Sequence, residues 1–176
     1  YTNAGKSTIF NRLTGAEVLA KDMLFATLDP TMRRVQLPAG LEVILSDTVG
    51  FISDLPHELV AAFRATLEEV LAADLILHVR DISHPETEEQ AGDVGEILES
   101  LGVEEDVPLI EVWNKIDRFD PEERDNLRNI AARRPPERPC FLVSAVTGEG
   151  IDALLTAIED RLAAKRITLD LSIDAA

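Results

Sequence analysis

The chain opens with a stretch whose residue types suit phosphate chemistry, "YTNAGKST" (Tyr1–Thr8). Its end matches the second half of the phosphate-binding pattern G-x-x-x-x-G-K-[ST]. If a helix starts directly after Gly5, its free N–H groups and the positive end of its dipole face an anion bound there. Lys6 would then reach the β- and γ-phosphates of a nucleotide, and the Ser7 hydroxyl would ligate Mg²⁺. A surface loop is the alternative, because Gly-Lys-Ser alone is a weak signal.

A second stretch, "ILSDTVG", places an acid directly after an apolar run. Asp47 ends that run, and Gly50 comes three residues later. An acid in this place can hold Mg²⁺ directly or through water, and a glycine amide can sense a γ-phosphate. The alternative is an aspartate that caps a turn, which is common for Asp-Thr before a glycine.

Two later stretches could recognise a base. "VWNKID" places Asn114, Lys115 and Asp117 after another apolar run, and "FLVSA" ends in Ser144-Ala145. A carboxylate at Asp117 can accept hydrogen bonds from both N1–H and the amino group of guanine. Adenine lacks both donors, so a buried acceptor would discriminate strongly against it. A backbone amide of the second stretch could meet guanine O6, although a polar strand-to-helix turn is the alternative for the first.

Hydrophobic spacing predicts the elements that position these motifs. Strands alternate with helices, which indicates a mainly parallel sheet covered on both faces, with ligands at the carboxyl ends of its strands. Each motif is weak alone, but all four lie in order at such ends, which favours a nucleotide site over coincidence. The predicted helices span 6–13, 57–72, 86–101, 121–133 and 150–163, and the predicted strands span 33–37, 41–46, 75–79, 108–113 and 140–143.

Size and charge limit the possible classes of protein. The 176 residues suffice for one domain, which we place at 1–164, and the alternating apolar residues of 165–176 predict a further strand or the start of a small domain. A single cysteine, Cys140, excludes an internal disulfide and favours a reducing, cytoplasmic setting. The net charge of −16 repels nucleic acid overall, and Arg33-Arg34 and Lys165-Arg166 are better explained as solvated charges than as RNA contacts.

The four motifs together resemble those of the translation-factor-related P-loop GTPases, and the residues between them look like the HflX type, in the Obg–HflX group. The stretches that carry this closer resemblance are "LFATLDPTMRRV" (Leu24–Val35), "DTVGFISDLPHELVAAFRATLEEV" (Asp47–Val70) and "ADLILHVRDIS" (Ala73–Ser83). The resemblance extends from Tyr1 to near Leu162. It implies an α/β G domain that binds GTP or GDP and hydrolyses GTP to GDP and phosphate.

HflX-type proteins associate with the large ribosomal subunit and can split ribosomes, often in stress. The resemblance therefore implies that partner, in a cytoplasmic monomer without a membrane span. An Obg- or Era-like ribosome-assembly GTPase and a non-hydrolysing nucleotide-binding module remain as alternatives. An ATP-using P-loop enzyme is a third, and Asn114 to Asp117 speak against it.

The resemblance also assigns roles to residues. Ser7, Thr27 and Asp47 would ligate Mg²⁺, while Lys6, Thr27 and Gly50 would serve catalysis. The predicted nucleotide contacts are Tyr1, Thr2, Asn3, Ala4, Gly5, Lys6, Ser7, Thr8, Phe25, Ala26, Thr27, Leu28, Asp29, Asp47, Thr48, Val49, Gly50, Asn114, Lys115, Ile116, Asp117, Ser144, Ala145 and Val146.

One position departs from Ras-like enzymes. Phe51 follows Gly50 where those enzymes carry glutamine, and phenylalanine cannot orient an attacking water. We therefore expect slow intrinsic hydrolysis that a partner or K⁺ accelerates. Asn3 matches the loop asparagine that binds K⁺ in potassium-activated relatives, and a plain turn residue is the alternative. His57 also lies in this region, where a surface or capping histidine is favoured over a catalytic base.

The resemblance places a strand and the opening glycine of the loop just before Tyr1. The chain begins one residue inside that loop, so we expect an N-terminally truncated G domain from a longer protein. A missing central strand would leave backbone groups unpaired. Made alone, residues 1–176 would then bind GTP poorly and unfold easily.

Overall fold

The computed structural model describes residues 1–15, 31–48, 50, 68–103 and 107–164. These residues form α1 (Lys6–Thr14), β1 (Thr31–Gln36), β2 (Glu42–Asp47), α2 (Glu68–Leu71), β3 (Ile76–Asp81), α3 (Thr87–Ser100), β4 (Leu109–Asn114), a 3-10 turn (Ile116–Arg118), α4 (Pro121–Ala131), β5 (Cys140–Leu142) and α5 (Ile151–Ala164). Within these ranges, no helix has the length and apolar character needed to cross a membrane.

The described strands form two sheets. β3, β4 and β5 are parallel neighbours in that order, with Val79 opposite Val112 and Val112 opposite Phe141. β1 and β2 form the predicted hairpin, with Val35 opposite Val43. The predicted α/β class with parallel strands is confirmed. Because the strands of the parallel sheet share a direction, the residues that follow β3, β4 and β5 meet at one edge.

One face of the parallel sheet forms the hydrophobic core. Val79, Ile110 and Val112 point to this face and are buried together with Val143 and Leu154. Residues from α1 and α5 belong to the same cluster, so these helices cover that face. The apolar residues that predicted β3 and β4 therefore reflect real burial of this face.

The opposite face of the sheet carries buried charge, which the sequence did not predict. The Arg80 guanidinium lies 2.9 Å from Glu111 Oε2 and 2.6 Å from Glu88 Oε1. The indole N–H of Trp113 donates to the same Glu111 oxygen at 2.9 Å, and Arg134 donates to the other one. Burial of these charges is tolerated because each has a partner of opposite sign.

Local signals explain where the helices begin and end. At the start of α4, the Asp120 carboxylate accepts from the Glu123 N–H at 2.9 Å, and the Glu123 carboxylate accepts from the Asp120 N–H at 3.0 Å. This capping box, followed by Pro121, fixes the helix start at the predicted residue. Most predicted bounds lie within two residues of the observed ones. Of the predicted helix 57–72, only Glu68–Leu71 lies in the described part as a helix, and residues 165–176 lie outside it.

Candidate functional site

The loop before α1 has the backbone needed for a close approach to an anion. Gly5 precedes the helix with φ 94°, and Asn3 has φ 58°, so both adopt the left-handed conformation. A Cβ on Gly5 would lie 2.2 Å from Asn114 Nδ2, so only glycine fits there. The helix starts at Lys6, directly after the loop, as the motif predicts. An anion bound before this helix would therefore face the positive end of its dipole.

Lys6 and Gly50 lie side by side against this loop. The Lys6 ammonium donates to the carbonyl oxygen of Tyr1 at 2.7 Å. Burial lowers the pKa of Lys6 below its ordinary value, and the nearby charge of Asp47 opposes that shift. A Cβ on Gly50 would lie 2.7 Å from Lys6 Nζ and 2.9 Å from Thr2 Cα, so this position also requires glycine. The structure therefore brings two of the predicted catalytic residues together.

Two of the predicted magnesium ligands are in contact. Ser7 Oγ donates to Asp47 Oδ2 at 2.7 Å, and Asp47 is buried at the end of β2. A hydroxyl and a carboxylate are the oxygen ligands that Mg²⁺ accepts beside nucleotide phosphates. The third predicted ligand, Thr27, lies outside the described residues. Among the described residues, no group of three histidine, cysteine or acidic side chains forms a metal site by itself.

Asn114 joins the phosphate loop to the loop after β5. Its side-chain amide donates to the Ala4 carbonyl at 2.9 Å and accepts from the Ala145 N–H at 3.0 Å. Asn114 is 2% exposed, so both bonds are made in the interior. The Ala145 amide is thereby occupied, so if it is the backbone amide of this stretch that meets guanine O6, this contact must be exchanged. The asparagine thus ties together the phosphate loop, the end of β4 and the loop after β5.

Lys115 bridges the phosphate loop and β3. Its ammonium donates to the Asn3 carbonyl and pairs with Asp81 Oδ2, each at 2.6 Å. The other Asp81 oxygen accepts from the N–H and the hydroxyl of Ser83, at 3.0 and 2.6 Å. Burial favours the neutral acid, but the hydrogen bonds from Lys115 and Ser83 outweigh it and lower the pKa of Asp81. Asp81 thus stays ionised as the anchor of Lys115.

The predicted base-recognition acid is also oriented by a neighbour. Ser144 Oγ donates to Asp117 Oδ1 at 2.6 Å and accepts from the Thr147 N–H at 3.1 Å. Ser144 is fully buried, whereas Asp117 is exposed and can be reached by a ligand. Ile116 packs in the interior beneath this turn. The motifs after β4 and β5 therefore form one surface.

Sequence reasoning missed two residues of this region. The guanidinium of Arg12 on α1 donates through Nε to the Ala145 carbonyl at 2.7 Å and through Nη2 to the Val146 carbonyl. A signal did exist for Asp81, because it ends the apolar run of β3 just as Asp47 ends β2. No sequence signal marks Arg12. Five further predicted nucleotide contacts lie outside the described part of the chain: Phe25, Ala26, Leu28, Asp29 and Val49. Phe51 and His57 also lie outside it.

Comparison with known proteins gives a family match. The model of the 50S ribosome-binding GTPase family matches residues 1–115. The chain is 54% identical over 158 residues to the GTPase HflX of Magnetococcus marinus, covering 90% of this chain and 35% of that protein. It is 48% identical over 166 residues to the GTPase HflX of Escherichia coli, covering 92% of this chain and 37% of that protein. The chain thus spans little more than a third of the length of these relatives.

Solved structures agree with the fold. A complex of SsGBP with GDP is 28% identical with a TM-score of 0.72, covering 94% of this chain and 48% of that one. Era in complex with MgGDPNP and nucleotides of 16S ribosomal RNA is 26% identical with a TM-score of 0.68, covering 99% of this chain and 57% of that one. Both similarities extend over nearly the whole chain and fit a G-domain fold.

Proposed function

The chain belongs to the 50S ribosome-binding GTPase family, and on that premise we propose that it is the GTPase domain of an HflX-type switch protein. In this proposal, residues 1–164 bind GTP with Mg²⁺ and hydrolyse it slowly. The bound nucleotide controls association of the whole protein with the large ribosomal subunit. A role in ribosome splitting or stress rescue follows from the HflX type.

One observation carries this proposal. The buried amide of Asn114 bonds to Ala4 in the phosphate loop and to Ala145 in the loop after β5. The phosphate-binding residues and the base-recognition residues are therefore tied together at one edge of the sheet. An arrangement of this kind suits a nucleotide that lies across the carboxyl ends of parallel strands.

Guanine selectivity is assigned to Asp117. Its exposed carboxylate accepts a hydrogen bond from the buried Ser144 hydroxyl, with Oγ 2.6 Å from Oδ1, and this bond orients the carboxylate. A carboxylate there accepts from two guanine donors that adenine does not have. This feature argues against the ATP-using alternative.

Hydrolysis is assigned to Lys6, Gly50, Thr27 and the magnesium ion held by Ser7 and Asp47. Bound Mg²⁺ would neutralise charge that develops on the phosphates. Ser7 Oγ on α1 lies 2.7 Å from Asp47 Oδ2 at the end of β2, so the two oxygen atoms that would hold the ion are already close together. Because Phe51 cannot orient water, the missing acceleration is assigned to K⁺ bound near the exposed Asn3 side chain or to the ribosomal partner.

The first experiment exchanges the base preference. In Asp117→Asn, the amide oxygen can still accept from N1–H, but the amide NH2 would face the amino group of guanine, a second donor, whereas it can donate to the second carbonyl of xanthine. We expect GTP affinity to fall by about 100-fold or more and XTP to become the better ligand, measured by competition with a fluorescent nucleotide. Equal GTP affinity in wild type and variant would show that Asp117 does not read the base.

A second experiment tests the activity and the partner. GTP hydrolysis by the complete protein is measured in K⁺ and in Na⁺ buffer, with and without purified large ribosomal subunits. We expect slow basal turnover that large subunits stimulate strongly. Turnover without stimulation would remove the ribosome from the proposal. Tight GTP binding with no turnover under any condition would favour the non-hydrolysing module.

A further inference from the structure

The segment between α4 and β5 is rich in arginine, although the chain as a whole is strongly acidic. Residues 133–139 read "RRPPERP" and are called the arginine loop below. Arg133, Arg134 and Arg138 lie on this loop against a single acid, Glu137. Arg161 of α5 joins them, because its guanidinium donates to the Pro136 carbonyl. Four cations are therefore gathered in a protein whose net charge is −16.

The arginine loop is held in place from two sides. Arg134 reaches inward to the buried carboxylate of Glu111 on β4, and Arg161 holds the loop from α5. A turn closes the loop itself, since the Arg138 N–H donates to the Pro135 carbonyl at 3.0 Å. Proline further restricts the backbone in three of its seven positions. The loop is thus preorganised, and binding there costs little conformational entropy.

Two of the four arginines have guanidinium groups that make no bond within the described residues. Arg133 and Arg138 are exposed, and neither guanidinium forms an ion pair or hydrogen bond with any side chain in the described ranges. The arginines of α4 behave differently. Arg124 pairs with Glu149 at 3.1 Å, and Arg128 pairs with Asp125 at 2.6 Å. The arginine loop therefore carries two exposed guanidinium groups that no acidic side chain in the described ranges compensates.

The position of the loop separates it from the nucleotide site. It ends where β5 begins, at Cys140, whereas the nucleotide motifs follow the carboxyl ends of the strands. The two therefore lie at opposite edges of the parallel sheet. A partner bound at the arginine loop would leave the nucleotide site accessible.

We propose that the arginine loop, with Arg161, is a contact surface for the phosphate backbone of RNA. The planar guanidinium of arginine binds phosphate through two parallel hydrogen bonds, and this loop contains no lysine. Because the chain as a whole is strongly acidic, a local group of exposed arginines is where an RNA partner meets attraction. Arginines that contact only phosphates do not read base edges, so we expect the RNA to be bound independently of its nucleotide sequence. This inference rests on the proposed function, which names a ribosomal partner.

The test removes the two free charges and leaves the anchoring arginines in place. Arg133→Gln with Arg138→Gln is compared, in the complete protein, with Arg33→Gln plus Arg34→Gln. The control pair is also exposed and removes the same charge, but it lies on β1. Binding is measured to purified large subunits with a non-hydrolysable GTP analogue and to a naked RNA duplex of 20 base pairs, over a salt series.

We expect the arginine-loop variant to bind the duplex about ten-fold more weakly near 0.1 M salt. Each arginine that contacts a phosphate releases counterions from the RNA, and this favourable release is lost with the contact. The slope of log affinity against log salt should fall by about two, one per contact. The control should change affinity by less than about two-fold on the same electrostatic reasoning. GTP affinity must be unchanged in both, which shows that the variants fold.

The outcomes separate this inference from the proposed function. Equal losses in both variants would mean that overall charge matters and the loop does not, which overturns the inference. Unchanged duplex binding in the loop variant overturns it as well. Duplex binding that depends on the loop, without any large-subunit binding by the wild type, would support the inference and remove the ribosome from the proposed function. If the arginine-loop variant binds large subunits as tightly as the wild type, the inference is overturned for the ribosome and the proposed function remains.

Discussion

At the scale of single residues, the side chain of Lys115 is fixed by two oxygen atoms. One is the carbonyl of Asn3 in the phosphate loop, and the other belongs to the ionised carboxylate of Asp81. The lysine and the aspartate are both largely shielded from water, with side chains 20% and 11% exposed. Their attraction is therefore screened less than that of a surface pair. Asp81 is therefore linked to the phosphate loop through Lys115.

The variant Asp81→Asn tests that role. The amide keeps the shape of the side chain but removes its charge, so Lys115 loses its ion pair and the loop loses a restraint. We expect GDP and GTP affinity to fall by about 5- to 30-fold, the equivalent of about 1 to 2 kcal/mol. The control is Asp125→Asn, which breaks the exposed pair with Arg128 and should leave affinity unchanged.

Isothermal titration with each nucleotide gives the measurement for both variants. Guanine preference over xanthine should stay as in wild type, because Asp117 is not altered. If Asp81→Asn binds GDP and GTP as tightly as the wild type, the hydrogen bond from Lys115 to the Asn3 carbonyl is enough to position the phosphate loop. A changed base preference would show that Asp81 acts on base recognition instead of on the phosphate loop.

A second residue-scale prediction concerns Cys140, the first residue of β5. Burial raises the pKa of its thiol to about 12, although Arg134 and Arg80 pull in the opposite direction. The thiolate is the reactive form, so the native thiol should react at least about 100-fold more slowly than a free cysteine at pH 8. The reaction is followed with an aromatic disulfide reagent. Rapid labelling of the native complete protein at this position would show that β5 opens readily or that the thiol is ionised.

At the scale of elements, the turn before α5 contains a glycine that no other residue can replace without a clash. Gly150 has φ 78°, and a Cβ there would lie 2.1 Å from the carbonyl oxygen of Leu142 in β5. This carbonyl belongs to the backbone of a sheet strand and cannot move aside cheaply. The end of β5 and the start of α5 are therefore packed as closely as two chain segments allow.

The chain provides a matched control for this position. Gly102 has nearly the same φ, 79°, but a Cβ there would meet nothing within 4 Å. We expect Gly102→Ala to destabilise the protein by about 1 to 2 kcal/mol, the cost of a left-handed alanine. Gly150→Ala adds a steric clash with the backbone and should cost about 3 kcal/mol or more in total. Urea unfolding gives both values, and equal costs would show that β5 and α5 can separate without penalty.

The elements also show what the sequence can predict and what it cannot. Apolar periodicity located β3, β4 and α5 to within two residues, because it reflects burial that is local along the chain. It could not predict the charged face of the sheet. Glu111 interrupts an apolar run, but its partners Arg80 and Arg134 come from positions 31 and 23 residues away. Such pairs depend on register and packing, which periodicity does not contain.

The candidate site follows the same rule. Its motif residues were predictable, because a short pattern such as "NKID" or "NAGKST" carries its own chemistry. The bonds that hold those motifs together were not predictable. Arg12 contacts a loop 133 residues further along the chain, and nothing around it marks that partner. The positions of the motifs at strand ends nevertheless gave their common location correctly.

At the scale of the whole molecule, a half-buried histidine makes stability depend on pH. His78 lies on β3, on the face of the sheet that also carries Arg80. Burial, then the positive charges of the Tyr1 ammonium and of the Arg80 guanidinium, lower its pKa from 6.5 to about 3. The native protein therefore keeps this ring neutral in mild acid, whereas the unfolded chain binds a proton below pH 6.5. Stability linked to His78 is present above that pH and is lost as the pH falls toward 3.

The variant His78→Leu removes this proton from the unfolded state. Between pH 6 and pH 4, the free energy of unfolding of the wild type should fall relative to the variant by up to about 1.4 kcal/mol per pH unit. The slope is compared and not the absolute stability, because leucine also changes packing. The control His84→Asn removes an exposed histidine, which accepts a hydrogen bond from the Glu86 N–H, and should track the wild type. Urea unfolding of the complete protein across this range gives the curves. Parallel curves for wild type and His78→Leu would mean that the native fold admits the proton, and that the charged face of the sheet is open enough to hydrate it.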